Sequence, residues 1–169
     1  MSSQYYDSMD KIIWLIGQAI NWHKKAIREG LEEAQLNLEK CQDLTLDQQF
    51  ILGYSYKEGN GVNQFPLKAL EWFLKAAAQG HVTSQYQVSK MYRDGEGVTQ
   101  DNAESAKWML KAAEQGNELA QYEMGLFYSD GVGVQKDNFE AVKWMKKAEK
   151  QGSALASLFL MVDRTLFTD

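Results

Sequence analysis

The segment MYRDGEGV, residues 91–98, sets Gly95 and Gly97 one residue apart, the composition of a loop that could cradle phosphate. Glycines let backbone N–H groups approach an anion, and a helix N-terminus placed behind them adds favourable partial charge. A dinucleotide fingerprint asks for a third glycine three residues on, where Gln100 stands, and no Walker lysine followed by serine or threonine appears. Nearly the same words return as SYKEGNGV, ending at Val62, and as FYSDGVGV, ending at Val134. A loop specialised for one ligand is not expected three times in a chain of 169 residues.

The other reactive side chains form no constellation. His23 and His81 are far apart, and neither has a second histidine or cysteine at metal-ligand spacing. Cys41 is the only cysteine, sits among charged residues and has no visible activating partner. Glu32 and Glu33 read as a solvated helix face, and no serine lies in a nucleophile elbow. The expectation is a protein without catalytic residues, metal or cofactor. An enzyme is the alternative of another class, and it would need a deep pocket around His81 or the Glu32–Glu33 pair.

The elements behind the glycine words recur every 36 residues. Tyr56, Tyr92 and Tyr128 keep this step, as do Trp72, Trp108 and Trp144, and so do Gly80, Gly116 and Gly152. Each copy reads as two helices. Glycine tolerates the left-handed conformation that ends the first. Asp101 with Glu104 and Asp137 with Glu140 are capping-box patterns that open the second, and Pro66 suits a first helical position in the first copy. TLDQ, residues 45–48, caps the helix before it. The glycine pair is therefore a turn between antiparallel helices. Recurrence at the repeat step assigns the tryptophans, with Ala76, Ala112 and Ala148, to core packing. The stems of Lys75, Lys111 and Lys147 can cover apolar surface while their charges stay hydrated.

The pattern in ALEWFLKAAAQG, SAKWMLKAAEQGNELAQYEMGLFYSDGVGVQKD and AVKWMKKAEKQG resembles the Sel-1-like repeat family, a relative of the tetratricopeptide repeats. The resemblance covers roughly residues 46–167. It implies an all-α, right-handed solenoid of antiparallel helix pairs that binds a protein or peptide, with no cofactor. The expected organisation is irregular N-terminal helices over 1–45, repeats over 46–80, 81–116 and 117–152, and a capping helix over 153–169. Residues 19–35 resemble 69–85 at an offset of 50 rather than 36, so a helix of the second type is expected ahead of the regular copies. In the C-terminal helix Met161 stands where the preceding copy has Gly125. That helix carries Leu155, Leu158, Phe159, Val162, Leu166 and Phe167 around its circumference. It reads either as a cap or as a contact patch for a partner or a second copy, and a homodimer through it is one expectation.

A net charge of −5 argues against broad nucleic-acid binding and leaves basic protein partners open. IIWLIGQAI, residues 12–20, is too short to span a bilayer and reads as a buried helix stripe in a cytoplasmic protein, so no membrane partner is expected. In the tetratricopeptide relatives the first helix of each pair lines the concave face. Carried over, this gives rows in which Phe50, Tyr86 and Tyr122 conform to the repeat and read as core. Tyr54, Lys57, Lys90, Arg93 and Leu126 differ between copies and, with Leu158 and Val162, are the expected partner contacts. The aromatic and basic members are also types that stack bases and contact phosphates, the weaker nucleic-acid reading. Arg93 is expected to point outward, so that its reversal leaves the fold intact. The functional expectation is a protein-binding module, either an immunity protein that neutralises a cognate toxin or an adaptor in a signalling or envelope-regulating complex.

Overall fold

The computed structural model describes residues 44–59 and 63–166, with side chains described as far as Val162. His23, Glu32, Glu33, Cys41 and the expected N-terminal helices lie outside the described residues. Among the described residues there is no strand, and seven helices follow one another. They are α1 (Leu46–Glu58), α2 (Pro66–Ala78), α3 (Val82–Asp94), α4 (Asn102–Glu114), α5 (Glu118–Asp130), α6 (Asn138–Lys150) and α7 (Ala154–Leu166). The architecture is an all-α helical repeat.

The chain divides into two compact units, Met1–Trp72 and Phe73–Asp169. In the first, Thr45 and Gln48 form a reciprocal capping box at the start of α1, with Gln48 N donating to Thr45 Oγ1 at 3.3 Å and Thr45 N to Gln48 Oε1 at 3.0 Å. α2 opens on Pro66, whose missing N–H costs nothing in the first turn.

In the second unit consecutive helices pack in series, α3 on α4, α4 on α5, α5 on α6 and α6 on α7. The core is built from the positions that recur. Ala106, Met109, Ala112, Ala113, Ala120, Met124, Phe127 and Trp144 form one buried cluster. Met145, Ala148, Ala156 and Leu160 form the next. Small residues set the helix spacing. Ser89 Oγ donates to the Ser105 carbonyl at 2.8 Å, and at the equivalent position Gly125 leaves room for Met145, whose Cε and Cγ would lie 2.8 and 2.9 Å from an added Cβ.

The glycine words are turns, as the sequence implies. Gly95 and Gly131 hold φ of 70° and 76° at the ends of α3 and α5, and their N–H groups donate to the Met91 and Phe127 carbonyls. The second glycine has a separate cause. A Cβ on Gly133 would sit 1.9 Å from the Asn102 carbonyl oxygen at the start of α4, so only a bare Cα permits the turn to approach that helix.

The capping boxes expected at Asp101 and Asp137 form only in half. Asp101 accepts from Glu104 N at 2.9 Å, and Asp137 accepts from Phe139 N and Glu140 N at 2.9 and 3.1 Å. The glutamates do not reach back. The cap N–H groups are already committed, donating to the Tyr92 and Tyr128 carbonyls at 2.8 and 2.9 Å and closing each turn. Glu104 and Glu140 pair instead with Lys107 and Lys143 one turn on, each at 2.8 Å. At Thr45 the cap N–H donates to Gln48 Oε1, and among the described residues to no turn carbonyl, so its box is complete.

Candidate partner-binding surface

Buried glutamines hold the repeats of the second unit in register. Gln85 Nε2 donates to the Ala77 carbonyl and Gln121 Nε2 to the Ala113 carbonyl, both at 3.1 Å. Those two carbonyls belong to the preceding copy, and each amide oxygen accepts from the end of the second helix in its own copy, Gln85 from Gln115 at 2.7 Å and Gln121 from Gln151 at 2.8 Å. Both ends of these buried amides are satisfied, which makes the ladder favourable where an unpaired amide would be costly. At the equivalent place in α7 stands Ser157, whose hydroxyl donates to its own turn at Ser153, so the ladder has no corresponding rung there. Lys111 and Lys147 lie over the Trp108 and Trp144 rings at 3.9 and 3.6 Å, which assigns these repeated lysines to cation–π cover of the core.

The first helices α3, α5 and α7 carry the expected contact residues of this unit. Positions three, four and seven apart share a helix face, so Tyr86, Lys90 and Arg93 share one on α3. Leu119, Tyr122 and Leu126 share one on α5, and Leu155, Leu158 and Val162 share one on α7. The α3 and α5 faces are joined by a polar network. Tyr86 Oη donates to Glu123 Oε1 at 2.6 Å, Arg93 donates to the other Glu123 oxygen, and Arg93 Nε also donates to Asp94 Oδ1 at 3.1 Å. Lys90 Nζ sits 5.7 Å from the Tyr86 ring centroid.

This network corrects the outward reading of Arg93. Its side chain is half-buried, and it braces α3 against α5 through Glu123, whose side chain is only 17% exposed. Burial acts to lower the Arg93 pKa, but the hydrogen bond to Asp94 and the charge of Glu123 outweigh it and hold the pKa above its ordinary value. Burial, then the hydrogen bond and charge of Glu123, push the Tyr86 phenol well above its ordinary pKa, against a smaller lowering by Arg93. Sequence reasoning missed Glu123. Its signal was present in Gln87, Glu123 and Phe159, which occupy one repeat position and differ in every copy.

Tyr86 and Tyr122 are half-buried and pack against the two core clusters, as their recurrence implies. Leu126 packs beside Tyr122 on the cluster that α6 and α7 build, so it is a half-buried floor residue. Leu158 and Val162 are exposed at 58% and 52%, together with Leu119, Leu155 and Met161. Leu160 is buried and Phe159 packs beside it, so α7 both covers α6 and leaves an apolar face open. The side chains of Leu166 and Phe167 lie outside the described residues. In the first unit Tyr54 is exposed on α1, with its ring centroid 6.2 Å from that of Phe50, and Lys57 is half-buried.

His81 is a helix cap. Its Nδ1 accepts from Ser84 N at 3.2 Å, the role that Asn117 Oδ1 plays at α5 with Ala120 N at 2.8 Å. Among the described residues no three histidines, cysteines or acids are grouped to hold a metal, and no helix is long and apolar enough to cross a membrane.

Several solved structures are similar to this fold. A Sel1 repeat protein from Oxalobacter formigenes is 36% identical, with a TM-score of 0.65 over 69% of this chain and 87% of that one. A protective antigen present in uropathogenic Escherichia coli strains, displaying an SLR fold, is 35% identical with a TM-score of 0.70 over 88% of this chain, which spans 29% of that protein. The cysteine-rich protein B of Helicobacter pylori, 20% identical with a TM-score of 0.54 over 85% of this chain and 92% of its own, shares the fold. The search of curated proteins gives no match. The Sel1 repeat itself matches residues 12–31, 49–81, 82–117 and 119–153, a span that takes in the helix pairs, the glycine turns and the glutamine ladder. The chain belongs to the Sel1 repeat family.

Proposed function

We propose that this protein is a non-catalytic interaction module that holds a partner protein on the face built by its first helices. Sel1 repeats are in general protein-interaction modules. The observation that carries the reading for this chain is the group of exposed aliphatic side chains, Leu119, Leu155, Leu158 and Val162, beside a self-satisfied polar network on the same helices. Contiguous exposed apolar surface rimmed by polar groups marks interaction sites on soluble proteins. The finer roles we propose are neutralisation of a cognate toxin and, second, an adaptor in a signalling or envelope-regulating complex. The net charge of −5 supports the first, because it would speed encounter with a basic partner.

The test is site-specific photocrosslinking in cells of the source. A photoreactive residue at Leu158 is expected to capture a discrete protein, and one at Lys146, exposed on the second helix α6, is expected not to. Capture at Lys146 alone would move the interaction to the opposite helices and end this reading.

A further inference from the structure

Three occupants compete for the open aliphatic face of α5 and α7. The first is a further helix of a continuing array. In the repeat before α7, Met145 of α6 packs against Gly125 so closely that an added Cβ would meet it at 2.8 Å. Met161 stands at the equivalent place on α7 and is exposed at 66%. A second helix at the regular spacing would collide with its side chain, so the next rung of the solenoid is not what this face accepts.

The second occupant is another copy of the chain. A stable interface takes about 20–30 residues from each side. Here the exposed aliphatic set is Leu119, Leu155, Leu158, Met161 and Val162, with Tyr122 and Leu126 half-buried between them. That aliphatic set by itself does not reach an interface of that size, whereas it matches the three or four anchors of a short segment laid in a groove.

The third is such a segment from a partner, and its chemistry can be read from the row that crosses the three helices. Lys90 on α3, Leu126 on α5 and Val162 on α7 are equivalent repeat positions. Arg93, one turn away, is already paired with Glu123 and Asp94 and has no charge to offer. Among the described residues Lys90 is engaged over the Tyr86 ring, at 5.7 Å from its centroid, and by no carboxylate, so its ammonium can still pair with one. The row therefore runs from one available cation to an aliphatic end. α3 and α5 meet through the Tyr86, Arg93 and Glu123 side chains, so at about 10 Å a step the row spans about 20 Å, or about six residues of extended chain.

We propose that this face takes a short segment of a partner protein with aliphatic side chains over Leu119, Leu155, Leu158 and Val162 and a carboxylate over Lys90. The proposal rests on the protein-binding reading above and specifies its ligand.

The test is selection of twelve-residue peptides from a random phage library on the full chain. The expected consensus pairs two or more aliphatic residues with an acidic one about six positions away. A selected peptide, made synthetically and followed by fluorescence anisotropy, should lose about tenfold in affinity when its acid becomes the amide. With Lys90→Met the same change should have almost no effect, and Leu158→Glu should abolish binding while circular dichroism reports an intact helix content. Selected peptides without an acid, or an acid whose loss matters equally with Lys90→Met, would overturn the proposal while leaving protein binding standing. Failure to enrich any peptide would also overturn it, and photocrosslinking at Leu158 then decides the broader reading by itself. A doubled mass in light scattering that Leu158→Glu returns to monomer would assign the face to a second copy instead.

Discussion

Replacing Arg93 is expected to destabilise the second unit, and the size of the effect follows from its partners. Arg93 donates to Glu123 and to Asp94, and Glu123 is left with only the Tyr86 hydroxyl when the guanidinium is removed. A hydrogen bond to a charged group contributes about 1.5–3 kcal/mol, and the 30% exposure of the Arg93 side chain places Arg93→Met toward the lower part, about 1–2 kcal/mol. Arg93→Glu does more, because it sets a carboxylate beside Glu123. Like charges about 4 Å apart near a protein surface repel by about 4 kcal/mol, reduced here because the new side chain can rotate into water, so about 3 kcal/mol in all is expected. Urea unfolding followed by tryptophan fluorescence measures both variants. A double-mutant cycle with Glu123→Gln should return a coupling of about 1–2 kcal/mol, still present in 0.5 M salt because Glu123 is mostly buried. A coupling below about 0.3 kcal/mol, the ordinary error of additivity, would refute the bracing role and return Arg93 to the free surface.

Gln121→Met is expected to cost about 1–3 kcal/mol, since two side-chain hydrogen bonds go at once, although the Ala113 carbonyl keeps Gly116 N and the Gln151 amide keeps the Gly116 carbonyl, and thermal melts against Gln151→Met, which is exposed, should show the smaller loss for the latter. Alkaline unfolding should carry the mark of Tyr86. Its pKa is raised in the folded state, so its contribution is complete below the unfolded value of about 10 and is lost as pH climbs from there toward the folded one. Tyr86→Phe should therefore be less stable than wild type at neutral pH yet flatter above about pH 10, and parallel curves from pH 8 to 11 would contradict the raised pKa of the half-buried phenol.

The sequence by itself determined the repeat and the helix pairs. A step of 36 residues kept without a gap leaves little freedom, because a residue that must pack in one copy must pack in all, and Trp144, Ala112 and Ala148 are buried accordingly. Turns were legible for the same reason, since glycine answers a local backbone requirement that Gly95 and Gly131 meet with positive φ. What repeats could be read, and what is unique to one copy could not. Glu104 and Glu140 have the spacing of a capping box, but whether the cap N–H is free depends on the Tyr92 and Tyr128 carbonyls, which the turn brings back from nine residues earlier. Arg93 and Glu123 are thirty residues apart and meet only because α3 and α5 lie side by side. The same holds for the open face of α7. Its leucines are plain in the sequence, but only packing buries Leu160, leaves Leu158 exposed and turns Leu126 into the floor between two helices, because burial is a property of neighbours that local sequence does not name.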